Sequence, residues 1–226
     1  MSCEDPKVGT CVDQTQDEKA MIALNAGDYD TAQTLLEALI AFEPEEYFRY
    51  PRLAATYAAQ GGFDITELGQ IDQKAAGTES FLDAIGAFLP TPDPNDLGSY
   101  REKVSTIEKA RGQLIKMPES ERTKGETFYG ASAALQLTLY QSAYSVMFMN
   151  QFAIPDPTTG EIDVEALQSM TIDDAITILN NFRDSVAISQ AENPEIAEKI
   201  TNGLAQIEQA EGATDREKII SFLGKK

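Results

Sequence analysis

Carboxylates are the most plentiful reactive groups in this sequence. Asp and Glu number 37 against 18 Lys and Arg, and there is no His. Without imidazole, no unperturbed side chain titrates near neutrality, a conventional hydrolase triad cannot be assembled, and the commonest metal ligand is missing. DPTTGEID sets Asp156, Glu161 and Asp163 around Gly160. A calcium loop needs oxygen ligands at alternating positions and a closing Glu. This spacing does not match, and the segment reads as an acidic surface turn. Asp173 and Asp174 fall in the first turn of a predicted helix, where negative charge complements the dipole. Glu43, Glu45 and Glu46 flank Pro44 as a solvated face. Gly61-Gly62 lacks the Lys-Ser or Lys-Thr of a phosphate loop. The residues point to no enzyme, no metal and no cofactor.

Binding is the chemistry that remains. The net charge of −19 repels phosphate backbones and anionic headgroups, which argues against a nucleic-acid partner. The richest apolar material is FYGASAALQLTLYQSAYSVMFMNQF, residues 128–152, inside a run from Thr127 to Pro155 with no charged residue. The run is long enough to span a bilayer. A lone span would, however, strand the Gln136 and Gln141 amides in hydrocarbon. Its apolar residues fall on every side of a helix, which predicts a buried central helix. Tyr and Gln in an apolar wall, with deformable Met, also suit a small-molecule site. Tyr129, Leu137, Tyr140, Tyr144, Met147 and Phe148 are the candidate wall for a hydrophobic ligand.

The elements that would position such a wall are helices. Residues 17–63 align with themselves at a period of 34: Gly27 with Gly61, Tyr29 with Phe63, Ala23 with Tyr57. In GDYDTAQTLLEALIAFEP, Gly27 turns the chain, Tyr29 packs back, Ala32 allows close approach and Pro44 stops the second helix. Further on, FLDAIGAFL (residues 81–89) is a short apolar helical stretch, and PTPDPNDLGS breaks the pattern. Tyr100, Val104, Ile107, Arg111 and Leu114 then recur at helical intervals up to Pro118. After residues 123–152, Thr171 and Asp174 open a helix with the face Ile172, Ala175, Ile176, Leu179, Phe182 and Val186. Asn193-Pro194 opens the next, and Thr214 with Glu217 the last. No run alternates as a strand would. The fold expected is all-α, nine to eleven helices stacked as antiparallel hairpins. Residues 1–16 read as an N-terminal tether and 17–226 as one domain.

The 34-residue period is the spacing of tetratricopeptide repeats, and residues 17–76 resemble one repeat followed by part of another. The acidic helical chain, this region and the apolar central helix together resemble bacterial periplasmic helical lipoproteins. Two members are the tetratricopeptide lipoprotein of TRAP-type solute transporters and the helical component of the bacterial sterol transport system. The resemblance implies a periplasmic protein that carries or hands over a lipid or sterol and works with transporter components. It also implies membrane association only through a lipid on Cys3, which follows Ser2 and precedes a polar segment. Cys3 and Cys11 read equally as free thiols or as a short-loop disulfide. The competing expectation is a protein–protein scaffold on the repeat surface, with Tyr47, Tyr50 and Tyr57 as contacts.

Overall fold

A computed structural model describes residues 15–63, 85–124, 127–128, 131–156, 159, 161–192 and 194–224. Cys3, Cys11, Tyr129, Asn193 and residues 64–76 of the expected repeat region lie outside the described residues. Among those described, the chain is all-α, with ten helices and one two-residue strand pair.

The first three helices follow local signals. Helix α1 (Gln16–Asn25) starts at a capping box. The Glu18 amide donates to the Thr15 hydroxyl at 3.2 Å, and the Thr15 amide donates to the Glu18 carboxylate at 2.7 Å. Gly27 takes φ +76°, a left-handed turn that favours glycine, and Asp28 caps α2 (Tyr29–Phe42) by accepting from the Thr31 amide. Helix α3 (Arg49–Gln60) ends at Gly61. A Cβ there would lie 2.6 Å from Ile107 Cδ1, so the glycine admits close approach of the next long helix, α4 (Leu97–Ile115).

After the short α5 (Glu119–Arg122), the central helix begins later than its uncharged sequence suggests. Phe128 belongs to β1 (Thr127–Phe128), paired antiparallel with β2 (Ala131–Ser132). The Ser132 hydroxyl accepts from the Leu135 amide at 3.1 Å and caps α6 (Ala133–Asn150). Apolar character marks burial but not the start of a helix; the serine cap supplies the start. Among the described residues, no helix is long and apolar enough to cross a membrane. The chain continues through α7 (Val164–Gln168), α8 (Ile172–Glu192), α9 (Pro194–Glu208) and α10 (Asp215–Leu223). Thr214 and Glu217 close a second capping box at α10. Amide donors from Ala213 and Thr214 hold the Glu217 carboxyl below its ordinary range.

Packing proceeds largely neighbour to neighbour. Helix α1 lies on α2, α2 on α3, α3 on α4, α4 on α6, α6 on α8 and α8 on α9, with α10 against both α8 and α9. Helix α6 is therefore flanked by α4 and α8, which explains its burial: of its 18 residues only Leu135, Phe148 and Asn150 are part-exposed. The buried face of α8 overlaps the periodic one in part. Ile172 and Ile176 are exposed, whereas Ile178, Phe182, Ser185 and Ser189 are fully buried. Ala175, Leu179 and Phe182 of the expected face are buried, and small polar residues, Asn181, Ser185 and Ser189, share the buried surface with them.

Candidate functional site

Leu137, Tyr140 and Met147 of the candidate wall point into protein. All three are buried, Tyr140 and Met147 completely. Tyr140 meets Phe63 edge-on with ring centroids 6.0 Å apart, and the Tyr100 hydroxyl of α4 donates to the Met147 carbonyl at 3.2 Å. Burial of the Tyr100 phenol pushes its pKa up.

Tyr144 and Phe148 take a different position. Their rings stand 5.9 Å apart, and Phe148 stands 6.3 Å from Phe152. This aromatic ladder runs down α6 beside the flanks taken by α4 and α8, two helices that hardly touch each other. Tyr144 is buried, while Phe148 and Phe152 are half-buried. Arg111 of α4 closes the upper end. Its guanidinium lies 4.9 Å above the Tyr144 ring, and Nη1 donates to Gln141 Oε1 at 2.7 Å. Gln141 Nε2 donates in turn to the Asn181 carbonyl of α8 at 3.0 Å. Below them, the Ser145 and Ser185 hydroxyls meet at 3.2 Å. Arg111 Nε is buried without a hydrogen-bond partner. Burial raises the Tyr144 phenol, Glu108 adds to the rise, and Arg111 and Asn181 oppose it.

A second place of interest opens at the N-terminal end of α3. One pocket of about 260 Å³ is lined by Tyr47, Phe48, Pro51, Arg52, Met117 and Phe128, among others. An adjoining pocket of about 560 Å³ shares Phe48 and Arg52 and continues along Asp17, Met21 and Ile22 of α1. The Arg49 and Arg52 guanidinium carbons lie 5.3 and 4.8 Å from the Phe48 ring centroid. Arg49 is buried and satisfied. It grips Asp17 through Nε and Nη2 at 3.1 and 2.9 Å, reaches Glu43 at 2.9 Å and donates to the Leu39 carbonyl at 3.1 Å. Arg52 is less compensated, because its ion pair to the same Asp17 is 3.8 Å long. Burial pulls the Arg52 guanidinium down from its ordinary value, against the pull of Asp17. The first turn of α3 holds no acid, whereas α1, α2, α8, α9 and α10 all begin with one. The groove carries charges of both signs, Arg52 and Lys124 with Asp17, Glu18 and Glu121.

Of the three expected scaffold contacts, Tyr47 lines this groove. Tyr50 is buried, its hydroxyl donating to the Pro44 carbonyl at 3.0 Å. Tyr57 is buried too, and its hydroxyl donates to the Glu37 carboxylate. The signal for Phe48 lies in FRYPR, residues 48–52, where two arginines follow it at one and four positions in an arginine-poor chain. The signal for Arg111 is a charged residue on the otherwise apolar stripe of α4.

A third pocket, about 300 Å³, is mostly apolar and lined by Val146, Met149, Asn150, Ala153, Ile162 and Leu223, among others. It lies at the C-terminal end of α6. None of the three pockets is lined by Tyr140, Tyr144 or Met147. Among the described residues, no cluster of three or more acids or cysteines could hold a metal ion. No family model, no curated protein and no solved structure matches this chain.

Proposed function

We propose that this chain is a non-enzymatic helical scaffold that seats an extended segment of a partner protein in the groove around Phe48. The observation that carries this reading is the continuity of two pockets through Phe48 and Arg52. By contrast, the Leu137, Tyr140 and Met147 face is filled by other side chains. An aromatic anchor stacked by arginine is the kind of group that dominates binding energy at interfaces. The sequence resemblance supports a transporter or envelope component as the partner. A diacylglyceryl mass on Cys3 in host-made protein is the test of the periplasmic, lipid-anchored part of this reading.

Selection from a display library of random short peptides tests the groove. A common motif is expected to emerge. Phe48→Ala should weaken its binding about thirtyfold, as loss of a hot-spot aromatic does, while Ile172→Ser on α8 leaves it unchanged. Failure to enrich any motif, or binding indifferent to Phe48→Ala, sinks the reading.

A second reading, carriage of a hydrophobic small molecule, is favoured by the apolar pocket at Val146 and Met149 and by the half-buried rings of Phe148 and Phe152. The pocket volume lies at the low end of small-molecule sites, roughly 300–1,000 Å³. Saturable uptake of an uncharged apolar probe such as dodecanol is the outcome this reading requires.

A further inference from the structure

We infer that the partner segment seated in the Phe48 groove carries an internal acidic side chain, whose carboxylate Arg52 takes while apolar residues on either side of it fill the two pockets. The inference rests on the scaffold reading and names the chemistry of the partner; the apolar pocket at Val146 and Met149 plays no part in it.

The groove has charges of both signs, but they are not equally open to a guest. Lys124 is paired with Glu121 at 2.5 Å. Asp17 is held by Arg49 through hydrogen bonds of 3.1 and 2.9 Å. Glu18 closes the capping box of α1 by accepting from the Thr15 amide at 2.7 Å. Arg52 is the exception. Among the described residues its ion pair is the 3.8 Å contact to Asp17, an acid that Arg49 already occupies, and the Arg49 charge works against it. The Phe48 ring, 4.8 Å from the guanidinium carbon, attracts the cation but does not replace the bidentate acceptor that its planar fork is shaped for. The Arg52 side chain is only 26% exposed, so water screens an added carboxylate less than it would at an open surface. The complement that the groove lacks is therefore one anionic acceptor at Arg52.

The position of Arg52 says what that carboxylate is attached to. Arg52 and Phe48 line both pockets. On one side the wall continues to Tyr47, Pro51, Met117 and Phe128; on the other it continues to Met21 and to the exposed Ile22. A chain end fixed at Arg52 would fill one pocket and leave the other empty, and a small free anion would use neither apolar wall. An internal Asp or Glu of an extended segment sends chain both ways. Side chains two positions before and after it share its face and turn toward the two walls. The net charge of −19 repels a strongly acidic partner, so the match is a single acid among apolar neighbours and not an acidic run.

The test pans two display libraries of random short peptides, joined to the carrier at their C-termini so that only side-chain carboxylates are presented. The libraries are identical except that one encodes Asn and Gln wherever the other encodes Asp and Glu. Only the acid-encoding library is expected to enrich, with one acid between apolar positions. A synthetic peptide of that motif, amidated at its C-terminus, should bind about tenfold tighter by calorimetry than the same peptide with the acid replaced by its amide. Arg52→Gln should bring the two peptides to equal affinity while the circular dichroism spectrum is unchanged. In the unmodified protein, the acidic peptide should shift the Arg52 Nε–H resonance and its amide form should not, a readout that depends on no variant folding. Enrichment from both libraries, with binding that still needs Phe48, overturns the inference and leaves the scaffold reading standing. Enrichment from neither overturns both, and self-association lost in Arg52→Gln would then give the groove to a second copy of this chain. A preference for the acid that survives Arg52→Gln, or an Arg52 resonance that does not respond, puts the carboxylate on another group and overturns the inference.

Discussion

Replacing Tyr140 with alanine should cost about 3–5 kcal/mol of stability, the range for deleting a fully enclosed aromatic side chain. Tyr140 has no solvent exposure and meets the ring of Phe63 at the end of α3 edge-on. The truncation therefore opens a void between Phe63 at the end of α3 and the central helix. Urea unfolding followed by circular dichroism reads the change as a lower midpoint at unchanged slope. The size of the effect bears on function as well as on stability. A wall that lines a guest cavity has solvent or ligand on one side and tolerates truncation, whereas a wall packed by protein on all sides does not. A loss under about 1 kcal/mol would mean slack at Tyr140 and would return this face to the list of ligand contacts.

Arg49→Met should cost about 3 kcal/mol, the low end for breaking a buried ion pair from one side. The Arg49 side chain is 7% exposed and binds Asp17 of α1, Glu43 after α2 and the Leu39 carbonyl. One guanidinium thus ties the first three helices together. Asp17 and then Glu43, as hydrogen-bond acceptors, hold that guanidinium above its ordinary value. Methionine fills the space but leaves the Leu39 carbonyl without this donor and Asp17 with only the longer contact to Arg52. The low end is expected because Asp17 and Glu43 are themselves 24% and 48% exposed and water can reach them. A cycle with Asp17→Asn isolates the pair, and coupling near zero would mean that α1 is held by Ala20, Leu24 and Ala32 alone. The same variant bears on the Phe48 groove, since Asp17 lines its outer part.

How far these features can be read without coordinates depends on the kind of interaction. The 34-residue spacing marks Gly27 and Gly61, and both stand at helix ends for separate reasons: a left-handed turn at one and clearance for Ile107 at the other. The missing charge of residues 127–155 marks α6 as central, because a helix flanked on two sides has nowhere to solvate a charge. It says little about which of its faces meets a guest, since Tyr140 and Tyr144 are the same residue type four positions apart, one set against Phe63 and the other under Arg111. The polar contacts between α6 and α8 were hidden for a related reason. Ser142, Ser145, Ser185 and Ser189 look like surface residues, yet each donates to a carbonyl four residues earlier in its own helix. Such hydroxyls satisfy themselves locally and can be buried without a partner across the interface.

The neighbour-by-neighbour order of the helices has one more consequence. In such a row, cooperativity falls off along one dimension, as it does in repeat proteins. Helix α6 can open only when α4 and α8 both let go, whereas α1 has a single long neighbour and can peel away early. Amide exchange should then be slowest at α6 and quicken toward α1. The chain would breathe from its margin, and the margin is where Asp17, Met21 and Ile22 form the outer wall of the Phe48 groove.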